Sequence, residues 1–369
     1  MVMLAKSWDQ DLLAGGESSG RRIQLFISPS LHASSTHRSQ RLHVKYKPRV
    51  AISFTHTVIR LVSEDMTTNH RNSSDANPSQ IAMRTKPPPS FGSQAYWDDR
   101  FASNTDPFEW LEAPHAIDPY IVDALNAIHA DKPEFLHIGC GTSLLSFHLR
   151  SHVHRPGQIH NLDYSDVAIQ IGKAREEEIY QYESQREGNL RGVDMPCMRW
   201  DAVDLLDYAC VLGACRRACY SVIVDKSTSD SISCSEDVRV PIPYPAAIRS
   251  YGPVDLDPTK TSELVHPLVV MAVNLALVTK PGARWITLSY SKERFFFLDD
   301  PSDAVPQGMA FPHPADLWRL IERREIEDVD WQVRNERRDD AVTHRPKVCN
   351  SVYILERTEV PLFVRGERI

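Results

Sequence analysis

The chain has 369 residues, of which 42% are hydrophobic and 25% are charged, and its formal net charge is −7. This length accommodates one domain of roughly 250 residues with an additional tail. No apolar run approaches the roughly 18 residues that a membrane-spanning helix needs, so no segment of this sequence is expected to span a membrane. The seven cysteines form an odd number without regular spacing, which favours reduced thiols in a cytoplasmic or nuclear protein over disulfides or a zinc module.

Charge divides the chain into two parts. Residues 1–90 carry 12 Lys/Arg and 6 Asp/Glu, which leaves 30 and 43 for the remainder. An acidic remainder argues against nucleic acid as a partner and would suit a basic protein substrate. Residues 1–89 are rich in Ser, Thr, His, Asn and Arg and end in three prolines, which predicts a disordered extension. An organelle-targeting peptide is the alternative, although the early acidic residues argue against it.

Strand and helix patterns alternate from residue 90 to residue 357, followed by a tail over 358–369. This alternation predicts one α/β domain with a mostly parallel sheet and helices on both faces. The last two strands are close in sequence and predict an antiparallel hairpin at one edge. The predicted elements are helix 118–130, strand 134–138, helix 143–151, strand 159–162, helix 165–185, strand 197–200, strand 221–225, an insertion over 235–262, helix 263–280, and strands 284–290, 325–331 and 348–355.

A glycine turn follows the first predicted strand. Gly139 and Gly141 let the backbone approach a ligand at the start of a helix, and Asp163, on the next strand, can accept hydrogen bonds from ribose hydroxyls. A dinucleotide fold would place a third glycine where this chain has Leu144. The cassette therefore favours S-adenosylmethionine, which has no pyrophosphate, over a nicotinamide dinucleotide. An ordinary tight turn without a ligand is the alternative interpretation.

Two further strands end in acidic residues. Asp201 and Ala202 follow the third strand, where a methyltransferase contacts the adenine, and a polar cluster from Asp225 to Asp230 follows the fourth. Ligands of open parallel sheets bind beyond the carboxyl ends of the strands, so these groups are expected at one rim. The aromatic residues between 96 and 110 could cover a sulfonium cation or pack as core.

Three stretches of residues 90–357 resemble the class I S-adenosylmethionine-dependent methyltransferases, and within them the branch that contains the elongation-factor 1A lysine methyltransferases. These stretches are 95–101 with 108–110, 138–143, and 224–230. The resemblance implies a Rossmann-like seven-stranded sheet with an antiparallel edge strand. It departs from the branch at Ser227, where a glycine is usual, and at Ser229, where a leucine is usual.

The resemblance also implies roles for individual residues. Asp163 would bind the ribose. Independently of the resemblance, the position of Asp225 and Asp230 at the rim makes them the candidate catalytic residues, which would orient a lysine amine or pass its proton to water. Helix capping is the alternative for both of these aspartates. The implied cofactor-binding residues are Trp97, Phe101, Phe108, Gly139, Gly141, Asp163, Tyr164, Asp201, Ala202 and Lys226, with no metal ligand among them.

The expected function is therefore methyl transfer from S-adenosylmethionine to a lysine of a protein, such as a translation factor. A small-molecule methyltransferase, a non-catalytic module with the same fold and a nicotinamide oxidoreductase are the competing interpretations. The insertion over 235–262 is expected to form a semi-rigid flap above the acceptor pocket, or a surface elaboration without contact to substrate. The oligomeric state stays open.

Overall fold

This computed structural model describes residues 89–187, 197–248, 259–299, 305, 311–327 and 349–366, and for residues 183–187 the backbone alone. The predicted extension lies outside the described residues except for Pro89. Among the helices described, none is both long and apolar enough to cross a bilayer. All seven cysteines fall within the described ranges, and none of them forms a disulfide bond there.

A seven-stranded sheet forms the centre of the fold, in the order β3-β2-β1-β4-β8-β10-β9. Strands β3, β2, β1, β4 and β8 are parallel, whereas β10 is antiparallel to both β8 and β9. The predicted sheet and its antiparallel hairpin are thus confirmed. The strands of this sheet are β1 Phe135–Ile138, β2 Ile159–Asp163, β3 Arg199–Ala202, β4 Tyr220–Lys226, β8 Thr279–Ser289, β9 Trp318–Glu327 and β10 Cys349–Arg357.

Helices cover both faces of this sheet, as predicted. One hydrophobic cluster joins the sheet to α5 and α7, and a second joins it to α2 and α3. All twelve residues of α7 are buried, which explains its uniformly apolar sequence. The α-helices are α1 Gln94–Ser103, α2 Asp118–Ile128, α3 Leu145–His148, α4 Asp166–Glu187, α5 Tyr208–Ala214, α6 Thr228–Ile232, α7 Pro267–Val278, α8 Phe296–Asp299 and α9 Pro314–Leu317.

At three places in the second half of the chain, the structure has a strand where the sequence predicts a loop or a helix. Helix α7 begins at Pro267, because the first residues of the predicted helix form β7, Ser262–Val265. Strand β8 begins at Thr279, and the Pro281-Gly282 pair falls at an irregularity in its pairing with β4, where Gly282 has φ +77°. Strand β9 begins seven residues before the predicted 325.

The described parts of the insertion and of the tail are also structured. Within the insertion, β5 (Val238–Pro241) pairs with β7, and β6 (Ala246–Ile248) pairs with β11, Leu362–Val364 of the tail. Tyr244 is 2% exposed, and its hydroxyl donates a hydrogen bond to Asn274 of α7 at 2.7 Å. These described segments therefore pack against the core around α7, and the flap above an acceptor pocket stays a prediction. Tyr251 lies outside the described residues.

Candidate functional site

The glycine turn after β1 has the conformation that its sequence predicts. Gly139 has φ +58° and Gly141 has φ +49°, a region that side-chain-bearing residues rarely adopt. A Cβ on Gly139 would lie 2.1 Å from Thr228 Oγ1, and one on Gly141 would lie 3.2 Å from the ring of Phe101. Both glycines are therefore required by backbone conformation and by close packing within the chain.

Asp163 ends β2 directly beside this turn. Its two carboxylate oxygens accept hydrogen bonds from the N–H groups of Gly141 at 2.8 Å and Ser165 at 2.9 Å. Burial raises the pKa of Asp163 to about 6, and the nearby charge of Asp98 acts in the same direction. The backbone hydrogen bonds from Ser165, Gly141 and Tyr164 act in the opposite direction, because they stabilise the charged carboxylate.

The residues predicted to lie on the adenine side are at the neighbouring strand ends. Ala202 is paired in register with Asp163, and Val203 N–H donates to Asp163 O at 2.8 Å. Asp201 is half exposed, and one of its oxygens lies 2.7 Å from His160 Nε2. The hydroxyl of Tyr164 is buried and has no hydrogen-bond partner among the described residues. A buried hydroxyl without a partner is costly, so this one fits a site that a polar ligand completes.

His160 is a residue that sequence reasoning missed. Its second ring nitrogen lies 2.5 Å from the hydroxyl of Tyr220, so that hydrogen bonds link the half-exposed Asp201 through His160 to the buried Tyr220. Burial lowers the pKa of His160, which favours its neutral form despite the neighbouring Asp201 carboxylate. The chain fixes the direction of the Asp201 side chain at the rim.

The aromatic residues of the N-terminal stretch converge on the glycine turn. Trp97 and Phe101, one turn apart on α1, stack with ring centroids 5.6 Å apart, and Phe101 is the side chain nearest to Gly141. Trp110 lies 6.2 Å from Trp97 and 5.5 Å from Phe108, edge to face. The indole N–H of Trp97 donates to Phe91 O at 2.7 Å. This group, Trp97, Phe101, Phe108 and Trp110, is called the aromatic cluster below.

Glu109 fills the place where a dinucleotide fold binds pyrophosphate, and sequence reasoning gave it no role. Its carboxylate accepts from Leu144 N–H at 2.7 Å and from Ser143 Oγ at 2.8 Å, at the start of the helix that follows the glycine turn. A helix N-terminus attracts anions through its free N–H groups and its dipole. Here the chain supplies that anion itself.

Lys226 holds this arrangement in place. Its ammonium pairs with the Glu109 carboxylate and donates to the carbonyls of Trp110 and Glu112, each at 3.1 Å. The Lys226 side chain is only 4% exposed. Its bonds tie the loop of the aromatic cluster to the end of β4. These bonds support the aromatic cluster, and the predicted place of Lys226 beside the cofactor stays a prediction.

Arg175 provides a second tie that the sequence did not predict. From α4, its guanidinium donates to Thr142 O and to Thr105 O, each at 2.8 Å. The residue is 9% exposed. Because one planar group bridges both carbonyls, the glycine turn and the loop before the aromatic cluster are held at a fixed separation.

Asp225 and Asp230, the predicted catalytic pair, are both buried and bonded within the chain. Asp225 accepts from the N–H groups of Thr228 at 2.9 Å and Ser229 at 3.2 Å, so it caps the start of α6. Burial raises the pKa of Asp225 to about 6. Asp230 lies inside α6, pairs with Arg294 at 2.6 Å, and accepts from Ser289 Oγ at 2.5 Å. The capping alternative thus describes Asp225, but it is wrong for Asp230.

Ser227 adopts a glycine conformation, at the position where the related branch has glycine. Its φ is +66°, and its hydroxyl is buried without a partner in the described part of the chain. We expect Ser227→Gly to raise the free energy of unfolding by about 1 kcal/mol, because it relieves backbone strain and removes an unpaired hydroxyl. Urea unfolding measures this change. Ser227→Ala, which keeps the strain, should gain less, and a Gly variant no more stable than the Ala variant would contradict the account.

Two features of the central sheet identify its fold. Five parallel strands run in the order β3-β2-β1-β4-β8, and β10 lies antiparallel between β8 and β9. This is the class I methyltransferase fold. Strand β9 is the edge strand, and β10 is antiparallel to both of its neighbours, β8 and β9.

The chain is similar in sequence to a known methyltransferase, and a search of solved structures also finds methyltransferases. The methyltransferase srdJ of Neurospora crassa is 32% identical over 170 residues, which span 46% of this chain and 66% of that protein. The N-methyltransferase NodS of Bradyrhizobium japonicum, solved with S-adenosylhomocysteine, is 14% identical over 73% of this chain and 99% of its own, with a TM-score of 0.36.

A solved S-adenosylmethionine-dependent methyltransferase of Methanosarcina mazei is 12% identical over 65% of this chain and 97% of its own, with a TM-score of 0.33. No protein-family model matches the chain. The strand order and pairing, rather than these low TM-scores, establish the fold.

Proposed function

We propose that this chain is an S-adenosylmethionine-dependent methyltransferase. The observation that carries the proposal is the Glu109 carboxylate on Leu144 N–H. It occupies the position of a dinucleotide's pyrophosphate with a negative charge, while the glycine turn and Asp163 remain suited to an adenosine. A nicotinamide dinucleotide would have to displace Glu109 from its bonds to Leu144, Ser143 and Lys226.

The side chains around the turn each contact a different part of the cofactor in this proposal. Asp163 accepts from the ribose hydroxyls, Tyr164 and the Asp201–Ala202 pair face the adenine, and Gly139 and Gly141 give room to the amino-acid portion. The aromatic cluster excludes water and offers π faces to the sulfonium, worth about 0.5–2 kcal/mol per contact. S-adenosylmethionine, when bound, supplies an electrophilic methyl group for in-line transfer. The buried hydroxyl of Tyr164 gains in this way the polar partner that it lacks among the described residues.

We propose a lysine of a protein, of the elongation-factor type, as the first methyl acceptor. The support is the resemblance of residues 95–101 and 224–230 to that branch of methyltransferases, together with the acidic balance of the domain. Asp225 and Asp230 then act as positioning residues, because they hold α6 and the end of β8 in place through the bonds described above.

A small-molecule acceptor is the second candidate. Ser227 and Ser229 depart from the signature of the lysine-specific branch, and the carboxylates of Asp225 and Asp230 are 1% and 3% exposed. Neither carboxylate is open to a long lysine side chain in this conformation. A non-catalytic module that retains cofactor binding is the third candidate.

Labelled methyl transfer separates these acceptors. Purified full-length protein is incubated with methyl-labelled S-adenosylmethionine and a cell extract, and Asp163→Ala serves as the inactive control. Label in a protein band supports the lysine acceptor, and label in an organic-soluble fraction supports a small molecule. Cofactor binding without transfer to either fraction would overturn the enzymatic proposal in favour of the non-catalytic module.

Cofactor affinity should depend on pH through Asp163. Ribose hydroxyls donate to the charged carboxylate, so binding favours the deprotonated form of a group whose pKa is raised to about 6. Affinity is then constant above that pH and falls by up to about tenfold per pH unit below it. Calorimetric titration between pH 5 and 8 measures the effect.

The matched controls for this pH dependence are two amide substitutions. Asp163→Asn should bind more weakly at every pH and lose the dependence. Asp225→Asn, which keeps an oxygen for the N–H groups of Thr228 and Ser229, should retain it, although burial also raises the pKa of Asp225 to about 6. An unchanged slope in Asp163→Asn would refute the assignment of the ribose site.

A further inference from the structure

Two histidines and one aspartate lie close together beyond the end of the short helix that follows the glycine turn. His148 Nε2 lies 2.6 Å from Asp118 Oδ1, and His152 Nε2 lies 3.0 Å from the same oxygen. The three ligand atoms all lie within 4.8 Å of one another. None of these three residues was predicted from the sequence to be a metal ligand.

Local structure explains why the two histidines meet. Helix α3 ends at His148 and continues directly as a 3₁₀ segment, Leu149–His152, so the two histidines lie at the two ends of little more than one turn. The two imidazole rings have centroids 5.9 Å apart. Asp118 is the first residue of α2, so the third group comes from an element that precedes β1.

The donor set has the chemistry of a zinc site. Imidazole nitrogens and a carboxylate oxygen suit Zn²⁺, and two histidines four residues apart on one helical face are a recurrent zinc-binding pair. Both Nε2 atoms already point at one oxygen, so a cation between the three atoms needs only small side-chain shifts. The three side chains are 13–34% exposed, which leaves access for the ion and for a water as fourth ligand.

We propose that Asp118, His148 and His152 form a binding site for a single Zn²⁺ ion, separate from the methyl-transfer site. The ion would join the start of α2 to the segment that follows the glycine turn. Its role is to stabilise that segment, which carries Leu144, the N–H donor to Glu109. The proposal does not depend on the proposed function.

Zinc binding is tested on the full chain after treatment with a chelator. We expect calorimetry with Zn²⁺ to give one site and the melting temperature to rise on addition of Zn²⁺. Both effects should be lost in His148→Ala and in Asp118→Asn, each compared with its own zinc-free baseline so that a less stable variant remains informative. His154→Asn, which changes an exposed histidine two residues beyond the cluster, is the matched control and should retain both effects.

Substitution of Co²⁺ for Zn²⁺ distinguishes metal binding at this cluster from metal binding at the cysteine thiols. Exposed Cys197 and Cys234 offer competing ligands for soft metals. Co²⁺ bound at the proposed cluster should give visible absorption of a four-coordinate nitrogen and oxygen site without a thiolate charge-transfer band. Zinc binding that persists in His148→Ala, a thiolate band in the cobalt spectrum, or no zinc-dependent rise in melting temperature would each overturn the proposal.

Discussion

Replacing Gly139 by alanine is expected to lower the free energy of unfolding by about 2–4 kcal/mol and to abolish binding of S-adenosylmethionine. The backbone there has φ +58°, and the new Cβ would lie 2.1 Å from Thr228 Oγ1. Thr228 donates to Ile138 O at 2.8 Å, so moving it breaks a hydrogen bond between α6 and the turn. Urea unfolding and calorimetric titration measure the two effects.

Gly213→Ala is the matched control for this substitution. Gly213 lies in α5, and outside its own helix turn no atom of the described residues lies within 4 Å of the position of an added Cβ. Alanine there should be neutral or stabilise the helix by up to about 1 kcal/mol and leave cofactor binding unchanged. A Gly139→Ala protein as stable as Gly213→Ala, with normal affinity for the cofactor, would show that the turn tolerates a side chain and that our account of it is wrong.

Asp230→Ala should be the most destabilising single substitution at the end of the sheet, at about 3–5 kcal/mol, because it leaves Arg294 buried without its counter-charge. The two side chains are 4% and 7% exposed. Asp230 also accepts from Ser289 Oγ and from Tyr290 N–H, so the loss extends to the end of β8. Urea unfolding measures the change.

A double substitution tests whether the unpaired charge of Arg294 causes the destabilisation. Asp230→Leu with Arg294→Met removes both charges and should be less destabilising than either single change, since no unpaired ion remains. If Asp230 is a positioning residue, the folded Asp230→Asn protein should still transfer methyl groups, and its turnover should fall only as far as its altered packing explains. Normal stability of Asp230→Asn combined with complete loss of turnover would instead make Asp230 a catalytic residue.

The sequence predicted the elements whose signals are local. The apolar strand, the glycine turn and Asp163 lie within about 30 residues, and their conformations follow from glycine backbone freedom and from the burial of β1 and β2. Strand β4 was equally clear, because it is central in the sheet and all seven of its residues are buried. Such strands have nearly continuous apolar sequences.

The elements that the prediction missed depend on distant partners. Glu109 meets Leu144 across 35 residues and Lys226 across 117, and no spacing rule links such positions. Strand β9 lies at the sheet edge and mixes arginine and glutamate with Leu320 and Ile321. Charged side chains on an edge strand oppose its pairing with the sheet edge of another molecule. It resembles a charged helix until its pairing with β10 is known.

Titration of the full chain with S-adenosylmethionine and, separately, with a nicotinamide dinucleotide tests the central claim most directly. The account predicts one site for S-adenosylmethionine with micromolar affinity, loss of that binding in Asp163→Ala, and no binding of the dinucleotide, since Glu109 holds the pyrophosphate position. Binding of the dinucleotide alone, or of neither ligand by a folded protein, would contradict it.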